Sequence, residues 1–495
     1  MISGKRLSGR RFSGRRIGVP SAGGQQYVVF AGDSNTFYGY KPLWSGVGIF
    51  ARSNASGLSA STGTLTLYDD STATWAAFGD TVGDRIAVGE GLVWFESGSA
   101  NKGICLNITA SLAATGTALG LDVSVEIAAS DYIGANDRSP CVFGQILSGQ
   151  ALTPVANLGV DGDIAYTLLE RIGQVATVDS FGRPSNKRPR VVGILIGIND
   201  VTYLAGGGLE YDMDDVKGWV TDIKDSIISN GGVAAFGNLV KESPSAGEIA
   251  LIAEFNLHLA TLAAADPDNV KVADYHTACN GVAGAMDGVH FTNLGAKLAG
   301  EQMAVILESL AGGSGVSDFR LGSGAQNLIT NGNMAGTSGS KGGALTGVTA
   351  VDAAFAVSGA GAAVGSKEAV TGEYDWQVYT ITGADTGDEL TVLLNPSWAI
   401  GDNIYGEMEI QITGDGVKTA NMATVFFSVD FSQIEVCNSL FNSSNTDMGE
   451  LSGVWRTAPI DVPSFYDTGS LYANFILSAG DTVIKVRNAG AAIYN

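Results

Sequence analysis

Histidine, cysteine and basic side chains are all in short supply in this chain. Its three histidines, His258, His276 and His290, are too few and too scattered for an obvious metal cage. The four cysteines, Cys105, Cys141, Cys279 and Cys437, form no CxxC and show no pairing rhythm. They read as free, buried thiols of a chain made in a reducing compartment. No apolar run approaches the roughly 20 residues that a membrane span needs. The opening Met1-Ile2-Ser3-Gly4-Lys5-Arg6 also lacks the apolar core of a secretory signal, so export by that route is not expected. Lys and Arg number 28 against 50 Asp and Glu. Six of the basic residues lie within residues 1–24, where no acidic one occurs, which leaves 22 basic against 50 acidic groups in the remainder. Such a body repels nucleic acid and anionic membrane. Only the N-terminal arm suits an acidic partner.

What the chain does have is length, glycine and pattern. Its 495 residues exceed one ordinary core and predict two or three domains. Hydrophobic residues at 45% and charged residues at 16% make it globular, and 68 glycines imply many turns. The arm is a five-residue repeat with one apolar residue per unit: Leu7, Phe12 and Ile17 alternate with the basic Lys5, Arg6, Arg10, Arg11, Arg15 and Arg16. One apolar residue per repeat builds no core, so residues 1–24 are expected to be a docking arm and linker, disordered in isolation.

From Gln25 the pattern turns α/β. Buried strands are predicted at Tyr27–Ala31, Val155–Leu158 and Arg190–Ile196, with shorter ones at 233–236 and 270–274. Helices are predicted over 142–147, 163–172, 213–229, 246–264 and 292–310. The alternation implies a parallel sheet covered on both faces. A stretch at about 40–145 has short alternating runs and is predicted to be a β-rich insertion. Residues 313–325 read as a linker, and 326–495, strand-like runs between Gly/Asn/Asp turns, as a β-sandwich.

Four separated segments carry the chemistry. Gly32-Asp33-Ser34-Asn35 follows a buried strand, which puts Ser34 at the carboxyl edge of the sheet, where α/β proteins build sites. Taken alone, it is equally a turn or helix cap. Asn157-Leu158-Gly159-Val160-Asp161-Gly162-Asp163 and Ile196-Gly197-Ile198-Asn199-Asp200 also follow strands. The first can expose a glycine N–H and the second an amide, though both equally fit turns. Asp287-Gly288-Val289-His290 sets a carboxylate and an imidazole three residues apart before the last helix, where the one can orient the other. His258, inside a helix, reads as structural; His276, after a strand, is a rival base. Trp376, Trp398 and Trp455 are candidate sugar-stacking rings that equally suit a sandwich core.

The order Ser, Gly, Asn, Asp-x-x-His resembles the block pattern of the SGNH (GDSL-like) hydrolases over about residues 26–310. That resemblance implies a flavodoxin-like three-layer domain at 25–312 and a metal-free, cofactor-free serine esterase. Its catalytic residues would be Ser34, His290 and Asp287. Its oxyanion hole would be the N–H groups of Ser34 and Gly162 with the Asn199 amide, Gly159 competing with Gly162. The second block falls about 125 residues after Ser34, farther than in simpler members, an arrangement that resembles the carbohydrate esterases.

Asn327-Leu328-Ile329-Thr330-Asn331-Gly332-Asn333-Met334 resembles the opening of carbohydrate-binding-type jelly rolls of phage tail and fibre proteins. Together these resemblances imply an O-acetylesterase acting on a surface polysaccharide. The expected setting is a virion surface, with the arm (Arg6, Leu7, Arg10, Arg11, Phe12, Arg15, Arg16, Ile17) docked on a virion structural protein. A homo-oligomer is expected, with no nucleic-acid or membrane partner. The alternatives are a fibre or decoration protein that keeps the fold as a scaffold or glycan binder, and a free bacterial lipase or esterase.

Overall fold

The structure is a computed structural model. It describes residues 27–37, six strands between 50 and 135, residues 139–177 except 161, 191–311 except 209, and most of 327–493. The basic arm with Leu7, Phe12 and Ile17, the 313–325 segment and much of the 40–145 insertion lie outside the described residues.

The sheet that bears the site begins with β1 (Tyr27–Gly32), followed by the four-residue helix α1 (Ser34–Phe37). The insertion contributes β2 (Phe50–Arg52), β3 (Gly63–Thr66), β4 (Gly91–Phe95), β5 (Ile104–Ala110), β6 (Ala118–Asp122) and β7 (Tyr132–Ala135). They form one antiparallel sheet of order β2-β7-β4-β5-β6-β3, so the β-rich elaboration expected there is present. The chain then returns through α2 (Pro140–Leu147), β8 (Thr153–Gly159), α3 (Ala165–Thr177), β9 (Val191–Leu195), α4 (Ile198–Ala205) and α5 (Met213–Ser229). It closes with β10 (Val233–Gly237), α6 (Ala246–Ala265), β11 (Val270–Ala273), α7 (Tyr275–Cys279), β12 (Met286–Asp287), β13 (His290–Phe291) and α8 (Asn293–Leu310).

The order β11-β10-β9-β1-β8, parallel throughout, is the flavodoxin-like arrangement. Because side chains alternate across a strand, Val28 and Phe30 face one layer while Val29 and Ala31 face the other. The second layer packs Leu168 of α3, Val216, Val220 and Ile223 of α5, and Phe255 and Leu259 of α6. The first packs α2 and α8, which meet so closely that a Cβ on Gly300 would stand 2.4 Å from the Cβ of Phe143. Both long helices of the second layer start at reciprocal caps, Asp212 with Asp215 and Ser245 with Glu248.

Three features go beyond what the sequence reading specified. The segment after Gly197 is a helix, α4, because Gly197 at φ +111° turns the chain straight from strand to helix. A short helix, α7, follows β11 and carries His276. Among the described residues α6 is long and apolar enough to cross a membrane. Its Ile252, Phe255 and Leu259 pack against the sheet layer, Glu248 pairs with Lys241 and Glu254 with Lys217, as suits a helix of a globular unit.

The C-terminal part is β-rich, its described residues forming twelve strands in one hydrogen-bonded network built on the long strand Asn403–Phe427. Most pairs are antiparallel; two short edge pairs are parallel. This region shares an apolar core with the first layer of the α/β unit, and Gln150 donates to the carbonyl of Val454 at 3.0 Å. Trp455 is fully buried in that core, Trp398 packs against it half-buried, and Trp376 lies under the Arg487 guanidinium at 4.3 Å. Of the four cysteines, Cys141 and Cys279 are buried and free, and burial pushes both thiols up to about 12.

Candidate active site

All four predicted segments converge on the carboxyl edge of the sheet. Gly32 ends β1, with Gly159 at the end of β8 on one side and Leu195 at the end of β9 on the other. Gly32 is required there: at φ +147°, a Cβ would stand 1.8 Å from the Leu195 carbonyl oxygen. That close approach lets the Asp33 N–H donate to the same carbonyl at 2.9 Å. Ser34 therefore opens α1 from the central strand.

The Ser34 hydroxyl lies 2.9 Å from Nε2 of His290, although the two are 256 residues apart in sequence. Ser34 is only 2% exposed, more enclosed than a serine standing open at the sheet edge. His290 sits on the hairpin of β12 and β13, where the register sets Asp287 directly opposite it. Asp287 is exposed. The rival histidines stand elsewhere. His276 lies after the edge strand β11 and donates its backbone N–H to the Asn238 side-chain oxygen at 2.7 Å, while His258 Nε2 lies 3.2 Å from the Thr221 hydroxyl. Burial lowers the His258 pKa.

Asn35 was not singled out from sequence, yet it holds the histidine in place. Its amide donates to the Val289 carbonyl at 3.1 Å and accepts from the Phe291 N–H at 3.2 Å, bracketing His290 on both sides. The available signal was its position next to Ser34, which puts it at the same sheet edge.

Gly162 adopts φ +76° with open space around it, so its need for glycine is conformational rather than steric. Asn199 opens α4 and donates from Nδ2 to the Asp163 carbonyl at 2.8 Å. An amide nitrogen has two hydrogens, so that bond leaves one N–H for another acceptor. Among the described residues the backbone N–H groups of Ser34 and Gly162 make no hydrogen bond. Three donors at the ends of three adjacent strands are thus unspent.

Beneath them lies a group of carboxylates. Asp33 is fully buried, and desolvation raises its pKa to about 7, with Asp200 and Asp163 adding repulsion. Burial likewise raises Asp200 to about 6, although it accepts the Ala165 N–H at the start of α3 at 3.0 Å. Arg171, on α3, is ion-paired with Asp163. It too went unnoticed in the sequence, where its signal was being the lone basic residue between Arg138 and Arg183. No cluster of His, Cys, Asp and Glu suited to a metal ion occurs among the described residues.

A three-layer α/β domain with a serine–imidazole pair and unspent donors at the sheet edge has the form of a hydrolase. Residues 117–298 match the sequence model of the GDSL-like Lipase/Acylhydrolase family, so the chain carries a GDSL-like SGNH hydrolase domain, of acylhydrolase or esterase type. The match takes in Gly162, Asn199, Asp287 and His290 but not Ser34, which the insertion separates from it. Among solved structures, the chain is similar to a member of the lipolytic G-D-S-L family from Veillonella parvula. Identity is 20%, with 34% of this chain and 87% of that one covered and a TM-score of 0.28. A putative GDSL-like lipase from Parabacteroides merdae is 14% identical, over 60% of this chain and 99% of that one, TM-score 0.32. A carbohydrate esterase family 3 structure from Talaromyces cellulolyticus is 18% identical, over 32% and 74%, TM-score 0.26. No curated protein matches the chain.

Proposed function

We propose that this protein is a serine esterase in which Ser34 is the nucleophile and His290 its base. The 2.9 Å contact between the Ser34 hydroxyl and His290 Nε2 is the observation that carries this reading. His290 takes the hydroxyl proton as Ser34 attacks the ester carbonyl; the alcohol leaves with that proton, and water hydrolyses the acyl-enzyme by the same relay. The N–H groups of Ser34 and Gly162 and the second N–H of Asn199 receive the developing oxyanion. Asp287, opposite His290, favours the imidazolium from across the hairpin.

The substrate we propose is an O-acetylated surface polysaccharide, with the protein displayed on a virus particle through its basic arm. Support comes from the sequence: the enlarged insertion, the Asn327–Met334 segment, and six positive charges on an arm attached to an acidic body. The β-rich C-terminal region would then be a jelly roll that holds glycan or assembles the particle.

The test is hydrolysis of p-nitrophenyl acetate and acetylated polysaccharides by the full chain. Ser34→Ala and His290→Ala are expected to lose at least about 10⁴-fold in kcat, as triad members do, while His276→Ala changes little. Ser34→Ala activity within tenfold of wild type removes the nucleophile assignment. Faster cleavage of octanoyl than acetyl esters replaces the deacetylase reading with a lipase one. Normal particle incorporation after deletion of residues 1–20 removes the docking role.

A further inference from the structure

We propose that Arg171 is a positioning residue that sets the geometry of the oxyanion site, acting through Asp163 on Asn199. The inference rests on the esterase reading above and deepens it.

The Arg171 guanidinium reaches two backbone carbonyls and one carboxylate. Nη1 donates to the Leu158 carbonyl at 2.7 Å and Nη2 to the Gly32 carbonyl at 3.2 Å. Nε donates to Oδ2 of Asp163 at 3.0 Å, and Nη2 completes the ion pair. Gly32 and Leu158 lie just before the segments that carry Ser34 and Gly162. One planar fork therefore staples the ends of β1 and β8 and holds the residue that follows Gly162. The Gly32 carbonyl also accepts the Val160 N–H at 2.9 Å, which closes the staple from the other side.

Asp163 passes this constraint to the third segment. Its carboxylate is fixed by Arg171 and by the Thr167 hydroxyl at 2.9 Å, so its backbone cannot swing. Its carbonyl accepts one N–H of Asn199 at 2.8 Å, and an acceptor there fixes the amide plane and aims the second N–H. Asp200 reinforces the link by capping α3 at the Ala165 N–H. Removing the guanidinium leaves Asp163 without its charge partner, close enough to Asp33 and Asp200 to repel both. The turn that carries Gly162 and the carbonyl that orients Asn199 would move first.

A lysine is a poor substitute, because an ammonium is a point charge on a flexible stem and cannot match three acceptors in one plane. Arg171 itself, partly exposed and committed to these three acceptors, is not placed to touch the reacting atoms.

The test compares wild type with Arg171→Lys and Arg171→Met. Turnover of p-nitrophenyl acetate is divided by the serines titrated with a fluorophosphonate, so misfolded protein drops out of the count. We expect kcat per titrated serine to fall about tenfold in Arg171→Lys and up to about a hundredfold in Arg171→Met, with KM within about twofold, as for loss of a transition-state contact. A structural role alone would lower the melting temperature and the titrated fraction and leave kcat per site unchanged. Arg171→Lys at wild-type kcat per site, or a change confined to KM, overturns the proposal. Failure of the esterase reading looks different: wild type itself takes up no fluorophosphonate, or Ser34→Ala is labelled and turns over like wild type.

Discussion

In the C-terminal β-rich region Glu407 and Glu409 each face a guanidinium on an adjoining strand. Arg456 pairs with Glu407 and packs over Tyr405, while Arg487 holds Glu409 through two bonds of 2.9 and 3.0 Å and covers Trp376. At the edge of the parallel sheet the balance is different: Asp33, Asp163 and Asp200 lie together, and among the described residues only Arg171 is ion-paired with any of them. In the first region the buried charge of these two carboxylates is neutralised by guanidinium partners and serves the architecture. In the second it is left in excess of negative sign, and two carboxyls have raised pKa values beside the serine. The contrast marks where the molecule gives up stability for chemistry.

Three experiments sharpen the comparison. The largest expected effect is at the site. Asn199→Ala removes a side-chain donor and should lower kcat roughly 10²–10³-fold with little change in KM; a change mainly in KM would make Asn199 a substrate contact instead.

The second sits in the β region. Arg456→Met takes the guanidinium away from the buried Glu407 carboxylate and should cost about 3–5 kcal/mol in denaturant unfolding of that region. Pairing it with Glu407→Leu should recover much of the loss. Turnover per titrated serine should stay at the wild-type level, and a drop in it would show that the two regions are coupled through their shared core.

The smallest effect concerns pH. Asp33 has its carboxyl raised from 3.8 to about 7 and Asp200 to about 6, so between about pH 4 and 7 the folded protein binds more protons than the unfolded chain. Stability then falls as pH rises through that window and levels off above it. Asp33→Asn should flatten this slope in melting temperature against pH, and an unchanged slope would show that Asp33 is ionised throughout.

Much of the α/β unit was legible from sequence because β1, β9 and β10 are apolar runs and its two longest second-layer helices start at reciprocal caps. The predicted helix at 213–229 coincides with α5, and the Arg190–Ile196 strand with β9 to within a residue at each end. What stayed hidden depends on contacts across the chain. Asn199-Asp200 has the composition of a turn, yet it starts a helix because Gly197 fits between the strand end and the ring of Phe255. Asn35 and Arg171 are ordinary polar residues until the fold sets Val289, Phe291, Leu158 and Gly32 around them.

The sequence by itself determined the alternation of buried strands and helices, hence the parallel sheet, and the positions of three polar segments at strand ends and a fourth before the last helix. It did so because hydrophobic period and turn chemistry are local properties. Tertiary structure alone decided that Ser34 meets His290 across 256 residues, that Asp287 stands opposite His290 but exposed, and that one arginine ties two of the segments together. Those outcomes depend on strand order and on the few ångströms between neighbouring carbonyls, which no local pattern encodes.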